Sequence, residues 1–338
     1  MTASTRPTAA ARTGRRLAAA AAAAAGTAAL ALAVSAAAAP AAAAAAAVPP
    51  RAAAAQLNCA AVPSACGYPD ATNTGVPAGT TLLTVPGQVS SGPGWYYDSR
   101  GWVEVDGNGA NLTGLYIPMN LDVTASNVTI DDDQVVTSGA SSFGISLRHT
   151  ANVTIENSDV SGVNTTTGRV ANAIDDIYGD STGLVVKDDN IADWRTAVQV
   201  SAGLVTGNYI HSPGYIAGDH VNGIYDTGST QPLTISGNTI FNSISQTDDI
   251  TLEATAAGEP VANKTITGNL LAGGGYSLYG GDSLGNTTTA ITVTNNRFST
   301  LYYPLGGQFG PVAYYATTGT GNTWTGNTWD NTGQPVAP

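Results

Sequence analysis

Positive charge is scarce in this chain: 12 Lys and Arg stand against 24 Asp and Glu, a formal balance of −12. Four of those cations, Arg6, Arg12, Arg15 and Arg16, fall at the very start, and no acid precedes Gly67, so losing the leader moves the balance from −12 to −16. So acidic a protein does not collect nucleic acid or anionic lipid by bulk electrostatics. Its partners are expected to be neutral, cationic or bridged by a cation. Cysteine is equally scarce. Cys59 and Cys66 are the only two, and in a secreted chain so close a pair is expected to form one disulfide around a small loop. A lipoprotein cysteine is excluded because the apolar run ends well upstream and Asn58 precedes Cys59. Helical periodicity is not sustained beyond the leader: apolar residues at i, i+3, i+4 and i+7 occur only in isolated windows that do not extend into a second such period. Nothing after the leader is long enough to span a bilayer. The Gly273-Gly274-Gly275 run is no phosphate loop, since no helical pattern follows it.

The leader itself has a basic start followed by Ala and Leu, then Ala and Pro. Residues 1–47 read as a signal peptide with an Ala-rich spacer, and the Arg15-Arg16 pair before Leu17 fits either an ordinary charged start or twin-arginine export. The protein is therefore expected outside the cell, with residues 48–66 as an N-terminal segment around the Cys pair and 67–338 as one extended domain expected to act as a monomer.

What the remainder does have is one phrase, repeated. Val128-Thr-Ile-Asp-Asp-Asp133, Val153-Thr-Ile-Glu-Asn-Ser158, Leu184-Val-Val-Lys-Asp-Asp189, Leu233-Thr-Ile-Ser-Gly-Asn238, Lys264-Thr-Ile-Thr-Gly-Asn269, Ile291-Thr-Val-Thr-Asn-Asn296 and Asn322-Thr-Trp-Thr-Gly-Asn327 share a β-rich triplet and a polar turn, and Leu204-Val-Thr-Gly-Asn208 is a shorter copy. An apolar residue returns two positions past each turn: Val135, Val160, Ile191, Ile210, Ile240, Leu271, Phe298 and Trp329. The interval of 19 to 31 residues is that of a solenoid. A second family of strands precedes the triplets, as in Gly144-Ile-Ser-Leu147, Ala197-Val-Gln-Val200, Gly223-Ile-Tyr225, Asp249-Ile-Thr-Leu252 and Ser277-Leu-Tyr279. Each coil is thus predicted to hold a first strand, the triplet strand, the Asn turn and a brief third strand. Stacked coils place each strand about 4.8 Å from its copy. The expected fold is all-β, a single-stranded right-handed parallel β-helix. Asn suits the turn because it tolerates the left-handed conformation, and its amide can bond to the amides above and below. Asp133 and Asp189 in that column are expected at solvated or cation-bound positions, because stacked like charges repel.

With these repeats the chain resembles the pectate-lyase-like β-helix superfamily over roughly residues 67–333, and the stretch Gly67-Tyr-Pro-Asp-Ala-Thr-Asn-Thr-Gly-Val-Pro-Ala-Gly-Thr80 is similar to the opening segment of secreted actinobacterial β-helix proteins. The resemblance implies a groove along the first-strand face in which a polysaccharide lies. It does not imply a reaction, since the superfamily includes lyases, hydrolases, epimerases and tailspikes.

Strict alternation turns Ile145, Leu147, Val198, Val200, Ile224, Ile250, Leu252 and Leu278 inward. Glu104, Asp122, Ser146, Arg148, Asp175, Gln199, Tyr225, Thr251, Glu253 and Tyr279 are then outward, flanked by Asp176, His220, Asn222, Asp226, Asp248 and Asp249. The richest coils are Asp219–Asp226 and Thr247–Glu253. Adjacent coils bring side chains into the range, about 6.5–9.5 Å, that separates acid and base in inverting glycosidases, and crowding raises one carboxyl pKa. Asp226 with Asp248 or Asp249 is the expected hydrolase pair, His220 its modulator and Glu253 a further catalytic carboxylate. Tyr225 and Tyr279 offer flat faces for sugar rings, with Arg148, Asp175 and Gln199 as further substrate contacts. The expected chemistry requires no cofactor, though Asp175, Asp176 and Asp180 are close enough in sequence to hold Ca2+. Arg297 and Lys264, beside Asn turns, read as surface charges. The late aromatics Tyr302, Tyr303, Phe309, Tyr314, Tyr315, Trp324 and Trp329 read as a cap on the last coil.

The sharper polygalacturonase motifs are missing. Gln246-Thr247-Asp248 and Thr247-Asp248-Asp249 only echo Asn-Thr-Asp and Gly-Asp-Asp, and there is neither a Gly-His-Gly nor an Arg-x-Lys. Three functions stay open: a glycoside hydrolase, favoured by the carboxylates; a polysaccharide lyase, for which Arg148, His149 and His220 are the best-placed base and cations; and a non-catalytic glycan-binding or cell-wall-binding β-helix.

Overall fold

The computed structural model describes residues 58–338 apart from 139–142, 164–170, 254–257 and residue 286. The leader and spacer expected over residues 1–47 lie outside the described residues. Within them the chain is a parallel β-solenoid, with helix limited to single turns at Pro63–Cys66 and Ser283–Gly285. Three sheets run its length, of 11, 9 and 10 strands in coil order. The first sheet includes Phe143–Leu147, Asn172–Asp176, Thr196–Val200, Asn222–Asp226, Asp248–Leu252 and Tyr276–Gly280. The second holds the triplets, from Thr129–Asp131 to Thr323–Thr325, and begins one coil earlier than the repeated phrase, at Asn111–Thr113. The third carries the short strands after the Asn turn. An antiparallel hairpin, Ser91–Gly92 with Trp95–Tyr97, covers the leading edge of the first sheet against Val103–Val105, which closes an edge that would otherwise invite pairing.

The core is three columns of like residues, one per sheet. Leu112, Ile130, Ile155, Val186, Val205, Ile235, Ile266 and Val293 pair in register along the second sheet, ending on Trp324. Val135, Val160, Ile191, Ile210, Ile240, Leu271, Phe298 and Trp329 do the same along the third. Ile145, Ile174, Val198, Ile224, Ile250 and Leu278 form the first-sheet column. β-Branched side chains suit this arrangement, because their stiff χ1 packs well on a pleated surface and each coil repeats the shape of the one beneath.

The corner between the second and third sheets is held by side chains. Asn208, Asn238, Asn269, Asn296 and Asn327 stack with Nδ2–Oδ1 distances of 2.9 to 3.0 Å. Each Oδ1 from Asn238 onward also accepts the backbone N–H of the preceding Asn, and each Nδ2 donates to a strand carbonyl, as Asn238 does to Val205 at 3.0 Å. All but Asn327 are wholly buried. The column continues through Asp189, Ser158 and Asp133, whose oxygens accept the backbone N–H groups of Ser158, Asp133 and Leu115 respectively.

Asp133 and Asp189 are not at solvated positions, contrary to the expectation above: both have no exposed surface, and no group of three acids, His or Cys fit for a metal surrounds them among the described residues. Burial pushes Asp133 up to about 8, against the opposing Leu115 N–H, and raises Asp189 well above the carboxylate range. Burial therefore favours the neutral acid at both positions, and Ser158 separates them. In each, Oδ2 is buried without a hydrogen-bond partner, unlike the Asn amides of the later coils.

The chain before the first coil is a strap along the outside of the third sheet. Cys59 and Cys66 are disulfide-bonded and pack with Ala60 against Phe241, Leu270 and Ala272. The Ala60 N–H donates to Asp330 at 2.9 Å, and Gly75 N–H to the Asp188 carbonyl at 2.9 Å. The cysteines, remote from the repeats in sequence, therefore lie on them.

Asn238→Ala should lower stability by about 3 kcal/mol, since it strands buried donors and acceptors in two neighbouring coils; chemical denaturation measures it, and a loss well under about 1 kcal/mol would show the ladder to be dispensable. Asp133 holds its proton more tightly folded than unfolded, so the stability it contributes is complete below the ordinary carboxylate pKa and is lost as pH rises toward about 8. Asp133→Asn should therefore flatten the fall in melting temperature between about pH 5 and about pH 9 and raise stability at the alkaline end.

Candidate functional site

Each full first-sheet strand departs from simple alternation. The paired positions are the first, third, fourth and fifth: Asn222 with Asp248, Ile224 with Ile250, Tyr225 with Thr251, Asp226 with Leu252, and the same gap recurs between Asn172–Asp176 and its neighbours. The second position turns in toward the third sheet. A side chain on Gly223 would strike Ile240 Cγ2 at 2.5 Å, and one on Gly144 the Trp194 ring at 2.8 Å, and this place goes to the small residues Gly144, Ala173, Ala197, Gly223 and Ser277 in all these strands but Asp248–Leu252, where Asp249 holds it. Positions one and four face the groove together. Asn172 donates to Asp175 at 2.9 Å, Thr251 hydrogen-bonds Asp248, and the Tyr276 and Tyr279 rings lie 5.6 Å apart.

This geometry separates the expected hydrolase carboxylates. Asp226, at position five, points into the solenoid, has no exposed surface and pairs with Lys264 Nζ at 3.2 Å. Asp249, at position two, is also enclosed; burial and the nearby Asp248 charge raise it well above the carboxylate range. Asp248 lies on the groove side but wholly beneath its surface, and burial raises it too, against the Thr251 hydroxyl. Strict alternation missed the inward second position, so Asp226, Asp248 and Asp249 share no trench.

What the groove does expose is a recess of about 280 Å3 lined by Arg195, Thr196, Gln199, His220, Asn222, Tyr225, Thr247 and Glu253. Glu253 is its half-buried carboxylate, bonded by the Ser283 hydroxyl at 3.4 Å. Arg195 reaches Asn172 at 3.0 Å, and Gln199 donates to Asp175 at 3.0 Å. Burial raises Asp175, which Asn172 and the Arg195 and Arg148 charges oppose. Burial also raises Tyr225 and takes Tyr279 up to about 12, with the Glu253 and Asp248 charges adding to it in both.

Toward the N-terminal coils the acids are matched by cations. Arg100 bridges Asp98 and Glu104 and stands 4.0 Å from Asp122, which Arg148 contacts at 2.7 Å. Arg100 lies over Trp102 and Arg148 over Phe143, at 4.7 and 5.6 Å. This stretch is close to neutral rather than acidic. His149 is stacked on Tyr178 with Nδ1 2.6 Å from Asp180, on the exposed rim. Toward the C-terminal coils, aromatic rings continue the groove: Tyr279 stacks on Tyr314 at 5.5 Å and Tyr276 meets Phe309 at 5.9 Å. Phe309 and Tyr314 are 64% and 55% exposed, so they are not part of the expected cap, which Tyr315, Trp324 and Trp329 form. Tyr302 belongs to the third-sheet face with Phe241.

The expected Ca2+ ligands do not converge. Asp175 is bonded to Asn172 and Gln199, Asp176 turns inward to the Ser181 hydroxyl at 2.8 Å, and Asp180 pairs with His149. Lys264 is no surface charge: it is completely buried. Arg297 is half-buried against Asp330 and Cys59. Arg100, Asn172, Tyr276, Phe309 and Tyr314 escaped the sequence reading. The Tyr276-x-x-Tyr279 and Asn172-x-x-Asp175 spacings are the signal that would have found two of them, Tyr276 and Asn172, once three-residue spacing rather than two is taken as the groove period.

Compared with known proteins, the chain matches no family model, no curated protein and no solved structure.

Proposed function

We propose that the first-sheet groove binds an extended polysaccharide outside the cell, on a right-handed β-helix of the pectate-lyase-like kind. The observation that carries this reading is the line of partly exposed rings, Tyr225, Tyr279 and Tyr314 with Tyr276 and Phe309, running from the polar recess along the solenoid axis. Flat rings spaced along a groove suit the apolar faces of successive sugars. Gln199, Asn222, Thr196, His220 and Arg195 supply donors and acceptors for hydroxyls at one end. The leader-like start and the single disulfide agree with secretion. A neutral or mildly anionic glycan fits best, because Arg195 and His220 stand beside Glu253 and the Asp122 charge is met by Arg148.

Glycosidic cleavage is the second reading. Glu253 is the carboxylate at the recess, and Asp248 lies close by, with burial favouring its protonated form. For Asp248 to serve as an acid, substrate must first open the cover of Thr251 and the tyrosines over it.

Affinity electrophoresis of the secreted protein in gels carrying neutral and acidic polysaccharides tests the binding reading. At least one polysaccharide should retard it, and Tyr279→Ala or Phe309→Ala should weaken that retardation about tenfold each. Unchanged mobility in every gel defeats it. New reducing ends from the retarding polysaccharide, lost in Glu253→Gln, would establish cleavage in addition to binding.

A further inference from the structure

Lys264 and Asp226 form the one wholly buried Lys–carboxylate pair among the described residues, and the groove makes no use of it. Lys264 lies in the second-sheet strand Val261–Thr267, in the coil after Asp226. Its register neighbours are Leu233 and Ile291, both apolar and buried, so a lysine here breaks an otherwise hydrophobic column. The side chain runs back inside the solenoid to the first corner. There Nζ lies 2.8 Å from the Ser201 carbonyl, 3.2 Å from Asp226 Oδ1 and 3.2 Å from Ser229 Oγ. Asp226 Oδ1 also accepts the Gly228 N–H at 3.1 Å, whereas Oδ2 is buried with no partner. An ordinary buried salt bridge needs its remaining lone pairs satisfied to offset desolvation, and this one leaves an oxygen unmatched.

We infer that Lys264 and Asp226 join covalently, as an intramolecular amide between Nζ and Cγ that staples two successive coils. The arrangement holds the parts of that reaction. Desolvation lowers Lys264 and takes Asp226 up to about 6, so moving one proton from the ammonium to Oδ2 gives a neutral amine facing a neutral acid. The Nζ lone pair forms the N–Cγ bond. The Gly228 N–H stabilises the charge that develops on Oδ1. The Cγ–Oδ2 bond then breaks, and the Oδ2 hydroxyl leaves as water with one Nζ proton, for which Ser229 Oγ is the nearest relay. Nothing is oxidised or reduced and no co-reactant enters. Condensation in water is ordinarily unfavourable, but groups fixed in contact react with effective molarities of about 10⁵–10⁸ M, and an apolar interior favours the neutral amide over two buried charges.

The test is mass spectrometry of the secreted, denatured protein. Its intact mass should be lower than the disulfide-bonded sequence by one water. Trypsin should fail to cut after Lys264, giving a fragment Thr196–Arg297 lighter by that water, with fragment ions placing the link between Asp226 and Lys264. Asp226→Ala should restore the unmodified mass and the cut. Because the wild-type reading needs no variant to fold, a full sequence mass with quantitative cleavage after Lys264 overturns the inference outright, whether or not the groove binds glycan.

Discussion

The interior of this solenoid is organised by hydrogen bonds that link one coil to the next at a single buried corner. Backbone pairing along three sheets would hold the coils at the right spacing but tolerate a slip of register, since one β-branched residue packs much like another. The amides of Asn208, Asn238, Asn269, Asn296 and Asn327 do not tolerate it. Each meets a backbone N–H, a strand carbonyl and the next amide in a place closed to water, where an unmade bond carries its full desolvation cost. The corner therefore sets which residue of every coil begins the third strand, and through it which residues reach the first sheet.

That constraint reaches the groove by way of the corner between the third and first sheets. Chain leaving a fixed third strand enters the first sheet with its second residue turned inward, against Ile240 in one coil and Trp194 in another. Positions one and four then share the outer face. The groove is built of pairs three residues apart, which makes it wider and more continuous than a single alternating column. The rings of Tyr276 and Tyr279 can thus lie side by side and be extended by Phe309 and Tyr314.

Part of the acidity of this protein is an interior property. Asp133, Asp189, Asp226, Asp248 and Asp249 are all closed off from solvent and all raised by burial. A formal count of −12 therefore overstates the charge that a partner meets. In the corner column, Asp133 and Asp189 accept the same kind of backbone N–H bond as the later Asn, and burial favours their neutral form. In the first-sheet wall, Asp248 and Asp249 sit between coils where a charge would be unsupported. Of these five, only Asp226 has a cation of its own among the described residues.

By itself the sequence determined the architecture. Repeated triplets, the turn Asn and the returning apolar residue two positions later are local signals, each dictated by the conformation of a few neighbouring residues, and the three core columns follow from them residue by residue. Leu112 and the coil before the first repeated phrase were hidden only because Asn111–Thr113 lacks the polar turn of its successors. The residues along the first-sheet groove were legible only in part. Tyr225, Gln199 and Glu253 line the recess on the side where alternation put them, and His220 lines it from a flanking turn, yet Asp226 and Asp249 are turned inward and Asp248 lies under the surface. The direction of those side chains depends on how the chain rounds a corner between two sheets, and that is set by packing against residues such as Ile240 and Trp194 from other strands. Likewise no local pattern marks Lys264 as buried: its distance from Asp226 is closed only by stacking one coil on another, and only the tertiary structure decides which charges lose their water.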